Sequence, residues 1–241
     1  MSQTPKNPAP VREPQFIQLQ PVDSGALARE AAAGLCAVPA RVSPKFFYDL
    51  LGSRLFDAIT ELDEYYPTRS EAAIMAEHGP AIMAAALAAT GAKPVLVDLG
   101  AGSCAKAARL FGAMSPRRYV AVDISAEFLR GSLQALQRDH ASLDMVGVGL
   151  DFSAQLQLPA AWVDGPAVVF YPGSSIGNFA PDDALHLLRQ AREVSRGGAL
   201  LIGADLIKPK ALLEAAYDDA LGVTAAFNLN LLRHLNHLLG A

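Results

Sequence analysis

The chain has 241 residues, 51% of them hydrophobic and 18% charged, with a formal net charge of -4. This leaves room for one α/β domain with a sizeable core and a modest accessory part. Acidic and basic residues are mixed and no basic run occurs, which argues against a nucleic-acid partner, because phosphate-backbone affinity comes from clustered Lys and Arg.

Residues 1–23 begin MSQTPKNPAPVREPQ, rich in Pro and polar residues and without the apolar stretch of a signal peptide. They read as a disordered tail. Residues 24–35 are Ala-rich and helical, with Ser24 placed to cap them. Residues 43–60 space Phe47, Leu50, Leu51, Leu55 and Ile59 at roughly helical intervals, as two short helices meeting at Gly52. Residues 63–69 form a loop, since Pro67 disfavours the helical region for Tyr66. Residues 70–89 are a helix or helix pair broken at Gly79-Pro80. The longest apolar stretch, 81–89, is too short to span a bilayer, so no membrane is expected. Cys36 and Cys104 fit neither a disulfide framework nor a metal-binding pair, which suits reduced thiols in the cytoplasm.

Beyond residue 90 the pattern changes. Apolar runs at 94–99, 118–122, 144–150, 167–171 and 199–202 alternate with glycine turns and amphipathic helices. Such alternation indicates βαβ units and a parallel sheet buried on both faces. Ligands of these sheets bind beyond the C-terminal strand ends, so the turns after Leu99, Val122, Tyr171 and Ile202 share one crevice.

The first turn reads Asp98-Leu-Gly100-Ala-Gly102, and through Ala105 it also satisfies the dinucleotide GxGxxG/A pattern with Asp123 as the ribose acid. The turn alone therefore leaves NAD and S-adenosylmethionine both open. Two features favour S-adenosylmethionine. Lys106, early in the next helix, suits a methionyl carboxylate, while Asp98 suits a cationic ligand. Asp151-Phe152, after the strand ending near Leu150, could accept the adenine amino group and cover its ring.

The segments FYDLLGSRLFDAITELDEYYPTRSE, DLGAGSCAK, VVFYPGSSIGNF and AYDDALGVTAAFNLNLLRHLN resemble the ergothioneine-pathway histidine Nα-methyltransferase family, in order, from Ser43 to Ala241. The resemblance implies a Rossmann-like class I methyltransferase fold: a tail over 1–23, an N-terminal helical substrate cap over 24–90 and a core over 91–241. It implies S-adenosylmethionine as methyl donor and histidine as the small-molecule acceptor, carried to its trimethylated betaine. Carried over by position, Gly100 and Lys106 hold the methionyl end, Asp123 the ribose, and Asp151 with Phe152 the adenine. Tyr65, Asn178 and Tyr217 grip the amino acid, Gly173 lines its pocket, and Tyr48 lies beside the nitrogen being methylated.

The family's chains continue past the position of Ala241, and that part closes the sheet and reads the imidazole. The resemblance therefore implies a sheet incomplete at its C-terminal edge, open to self-association or a partner chain, with weak donor binding and poor histidine methylation. Asp63 departs from the Pro usual before EYYPTR. Rival readings are methylation of another amino acid, an inactive binding module and an NAD enzyme. His234 and His237, one turn apart, have no acid or Cys to complete a metal set.

Overall fold

The computed structural model describes residues 12–19 and 23–241. The tail expected over 1–23 falls outside the described residues at 1–11 and 20–22, but its middle is ordered. Gln15–Gln18 form a strand, β1, parallel to Asp144–Gly149 (β4), with Phe16 beside Gly147 and Gln18 beside Gly149. A Cβ on Gly147 would stand 2.7 Å from Phe16 Cδ2, and one on Gly149 would stand 2.1 Å from Gln18 Oε1. The two glycines are what allow the edge strand to lie down.

Four more strands complete the sheet: β2 (Val95–Leu99), β3 (Arg118–Asp123), β5 (Ala167–Tyr171) and β6 (Ala199–Ile202). Their order is β1-β4-β3-β2-β5-β6, and every pairing is parallel. β2 lies at the centre, and its alternate residues feed two separate cores. Val95, Val97 and Leu99 point to one face with Val120, Val122, Val146 and Val148. That face is covered by α6 (Pro181–Ser195) through Leu187 and Ala191. Leu96 and its neighbours Tyr119 and Met145 point to the other face. There they meet α3 (Tyr66–Thr90), α4 (Ala105–Met114) and α5 (Ala126–Asp139). A doubly wound Rossmann-like sheet results, as the alternating pattern predicts. β6 is its outer margin, with Leu200 and Ile202 exposed.

The helices before the sheet differ from expectation in four places. Asp23, not Ser24, caps α1 (Ser24–Leu35), accepting from Ala26 N at 2.9 Å. The break in residues 43–60 falls at Tyr48-Asp49, between a 3-10 turn (Pro44–Phe47) and α2 (Leu50–Thr60). Gly52 lies inside α2, where a Cβ would stand 1.8 Å from Phe47 O and only glycine fits. Helix α3 starts at Tyr66 with Pro67 in its first turn, where a missing N–H costs nothing. It also continues through Gly79-Pro80 as one helix. By length and composition α3 is apolar enough to cross a membrane, where the sequence reading weighed only the unbroken run 81–89. Here Met83 and Ala86 pack it onto the sheet.

The chain ends in α7 (Lys210–Tyr217) and α8 (Val223–Leu239). These were assigned to the core, yet α8 packs on α1, α2 and the 3-10 turn. Phe46, Ala31 and Leu235 form one small core there, and Ile59, Tyr65 and Ala216 another. The cap is therefore built from both ends of the described chain. Asp219 fixes the start of α8 by accepting from Val223 N and Thr224 N at 2.9 and 2.8 Å. Asn230 then donates to Asp49 Oδ1 at 2.7 Å, the atom that also caps α2. His234 is engaged by Phe46 O at 2.8 Å, and no metal-binding cluster occurs among the described residues.

Candidate active site

A cavity of about 670 Å³ opens between the cap and the C-terminal ends of β2, β3, β4 and β5. Six of the residues singled out in the sequence line it: Tyr48, Gly100, Asp123, Asp151, Phe152 and Asn178. Asp123 and Asp151 therefore share one chamber.

Its floor is the glycine turn. Gly100 and Gly102 adopt φ of +70° and +51°, which favour glycine. The amides of Gly100 and Ala101 both donate to Val122 O, which fastens the turn to β3. Asp123 closes the arrangement, accepting from Gly102 N at 2.9 Å and Ser125 N at 2.8 Å. Burial raises its pKa, and these amides oppose that shift without cancelling it. The ring of Phe152 comes close over the turn, its Cζ 3.8 Å from a Cβ built on Gly100.

Beneath the turn, Asp98 is buried and accepts from the Tyr119 hydroxyl at 2.7 Å. Its Oδ1 has no partner. Burial pushes its pKa up to about 7 against the pull of Tyr119, so a cationic ligand nearby would favour its charged form.

Asp151 faces the cap. Its Oδ1 accepts from Ser153 N at 3.1 Å and from the Ser153 hydroxyl, and its Oδ2 pairs with Lys45 Nζ at 2.8 Å. Lys45 also pairs with Glu30 on α1 at 2.7 Å. Burial raises the Asp151 pKa, but Lys45 and Ser153 outweigh it and leave the carboxyl below its usual range. Lys45 and Ser153 were not singled out in the sequence. The signal for Lys45 was its place in SPKFFYD, three residues before Tyr48.

Tyr48 sits in an aromatic wall, edge-on to Phe56 at 5.7 Å and to Phe227 at 5.8 Å. Burial raises its pKa to about 12, helped by the Asp123 carboxylate. Asn178 ends a 3-10 turn, Ser175–Asn178, and no side chain caps α6.

The other four predicted residues lie outside the cavity lining. Tyr65 and Tyr217 pack edge to face at 5.9 Å, with Tyr65 buried and Tyr217 55% exposed, too open for a core residue. Lys106 and Gly173 are neighbours: a Cβ on Gly173 would stand 3.0 Å from Lys106 Nζ. Both are held by Glu71 of α3, which pairs with Lys106 Nζ at 2.7 Å and accepts from Gly173 N at 2.7 Å. Glu71 closes the word YYPTRSE but was not read as functional.

A doubly wound parallel sheet with a glycine turn facing Asp123, and an acid–aromatic pair after the next strand, is the arrangement of the methyltransferases that use S-adenosylmethionine. Within that class the chain belongs to the histidine-specific, S-adenosylmethionine-dependent methyltransferase family, whose model matches residues 27–241. It is 41% identical to the histidine N-alpha-methyltransferase of Mycolicibacterium smegmatis, over 90% of this chain and 67% of that one. Identity to the Mycobacterium tuberculosis enzyme of the same name is 40% with the same coverage. Ergothioneine biosynthesis protein 1 of Neurospora crassa is 31% identical over 84% of this chain and 23% of its own length.

Proposed function

We propose that this chain transfers a methyl group from S-adenosylmethionine to the α-amino nitrogen of histidine, in the production of an ergothioneine precursor. The observation that carries the reading is the shared chamber. Asp123 and Asp151 line one cavity together with Tyr48 and Asn178, which supports a donor nucleoside and an amino acid sharing that space.

The residues suit the donor. Asp123 spends one hydrogen bond per oxygen on backbone amides, leaving lone pairs for ribose hydroxyls. Asp151 stays ionised and can accept from the adenine amino group, with Phe152 over the ring. Lys106 would take the methionyl carboxylate. Bound there, the donor supplies an electrophilic methyl on a sulfonium.

The protein's task is then alignment, which can supply on the order of 7–11 kcal/mol in well-oriented reactions. The amine must attack as a neutral base. With its pKa near 12, the Tyr48 phenol stays protonated at neutral pH. It can hydrogen-bond the amine and steer its lone pair, but it does not act as a base. Asn178 offers a second uncharged acceptor, and Tyr65 with Tyr217 and Gly173 would bound the amino-acid end. Each transfer breaks the sulfur–methyl bond, leaving S-adenosylhomocysteine, and the new ammonium sheds a proton to water before the nitrogen can attack again. Successive rounds, up to the betaine, suit an uncharged wall around a nitrogen that loses its hydrogens.

The test is incubation of the purified chain with labelled S-adenosylmethionine and a panel of amino acids. Label in Nα-methylated histidine is expected. Preference for another amino acid would overturn the substrate, and nicotinamide-dinucleotide binding without heat from S-adenosylhomocysteine would overturn the donor.

A further inference from the structure

We infer that Glu71 is a positioning residue for the donor site. It aims Lys106 at the carboxylate end of the ligand and at the same time sets the Pro172-Gly173 turn on the acceptor side. The inference rests on the donor assignment above and goes further, since no role in either half-site had been given to α3.

Lys106 stands in the first turn of α4, where the aligned peptide dipoles present positive charge. An ammonium there is unfavourable without a counter-charge, and its four-carbon stem is free to swing. Glu71 answers both needs with one oxygen, Oε2, at 2.7 Å. The ammonium carries three donors, so two remain for an incoming carboxylate. The other oxygen, Oε1, accepts from Gly173 N at 2.7 Å. One side chain thus spans the ends of β2 and β5.

Space for this carboxylate is reserved. A Cβ on Gly203, just after β6, would stand 2.6 Å from Glu71 Oε1 and 3.1 Å from Gly173 N. A Cβ on Gly173 would crowd Lys106 Nζ, and Gly173 already holds φ of +78°. Both glycines leave the room in which Lys106, Glu71 and the turn meet. Glu71 also belongs to the helix that begins one residue after Tyr65, so the carboxylate that holds the donor-side lysine lies less than two turns from the acceptor-side tyrosine.

The test separates the methionyl end from the nucleoside. The 241-residue wild type and Glu71→Gln are titrated calorimetrically, with histidine present, against S-adenosylhomocysteine and 5′-methylthioadenosine. The second ligand keeps the nucleoside and sulfur but has no carboxylate. Glu71→Gln should weaken S-adenosylhomocysteine about tenfold, the worth of one charge-assisted hydrogen bond, and leave 5′-methylthioadenosine within about twofold. Lys106→Met should show the same split, and the double variant should lose no more than either single one. Should Glu71→Gln not fold, Gly203→Ala displaces the same oxygen and is read the same way. Equal weakening of both ligands, or unchanged or tighter binding of S-adenosylhomocysteine, would overturn the role of Glu71. Wild type that binds neither ligand would overturn the donor reading and this inference with it.

Discussion

Lys45 and Asp151 meet at 2.8 Å across the seam between cap and sheet, joining a 3-10 turn to the loop after β4. The lysine is mostly shielded and also reaches Glu30, so three elements depend on one ammonium. Lys45→Met strands the Asp151 carboxylate and should cost about 1–3 kcal/mol, read as a lower melting temperature. The contribution has a sign in pH. Asp151 ionises below the usual carboxylate range, so the bridge is intact at neutral pH and its stabilisation fades as acid brings the pH down through the folded value. The wild type should lose more stability on acidification than Lys45→Met. Parallel pH curves would refute the bridge.

Asp98 has the opposite sign. Burial lifts its pKa to about 7, so between its unfolded value and 7 the folded chain holds a proton that the unfolded chain has released. Stability should therefore fall as pH rises through that window, by up to ~1.4 kcal/mol per pH unit. Asp98→Asn should flatten the slope in denaturant melts between pH 5 and pH 7, values taken as roughly the window's bounds.

The Tyr48 phenol keeps its proton until about pH 12. Turnover should rise with pH as the histidine α-amino group deprotonates, at a pKa that in a free amino acid lies above the ~8 of a peptide N-terminus because of the adjacent carboxylate, with no separate inflection from Tyr48 below about 12. Tyr48→Phe should lower kcat about tenfold while the affinity for S-adenosylhomocysteine stays the same. A variant with wild-type kcat would remove Tyr48 from the reacting centre.

Asp219 secures α8 through two backbone amides, and although burial opposes them its pKa is drawn down to about 2. Asp219→Ala should cost about 1–2 kcal/mol. Because α8 carries the cap's shared core, hydrogen exchange should quicken in α1 and α2 while the sheet remains protected.

The sheet was legible because its strands are short apolar runs with glycine turns at their ends. β5 and β6 fall on the residues the sequence indicated, and the crevice followed from that order. The strand at Gln15–Gln18 was not legible: in a polar, Pro-rich setting its only trace was the two glycines of β4, which register as room for a neighbour. Pro67 and Pro80 misled for a common reason. Each was read by its local penalty, whereas first-turn placement removes the cost for one and packing on the sheet holds the other in α3. That Gly100, Asp123, Asp151 and Phe152 line one cavity could be read from their places just after the strand ends. Lys45 and Glu71 could not, because each acts on a partner far along the chain, 106 residues from Asp151 for Lys45 and 102 from Gly173 for Glu71.

The hydrogen bond from Asn230 to Asp49 joins residues 181 positions apart. During synthesis α1, α2 and the turn bearing Tyr48 leave the ribosome long before α8, their packing partner, exists. The sheet can assemble first, and the roof of the chamber closes only after α8 arrives. Protease clipping just before Val223 should therefore open the roof and leave the Rossmann floor standing.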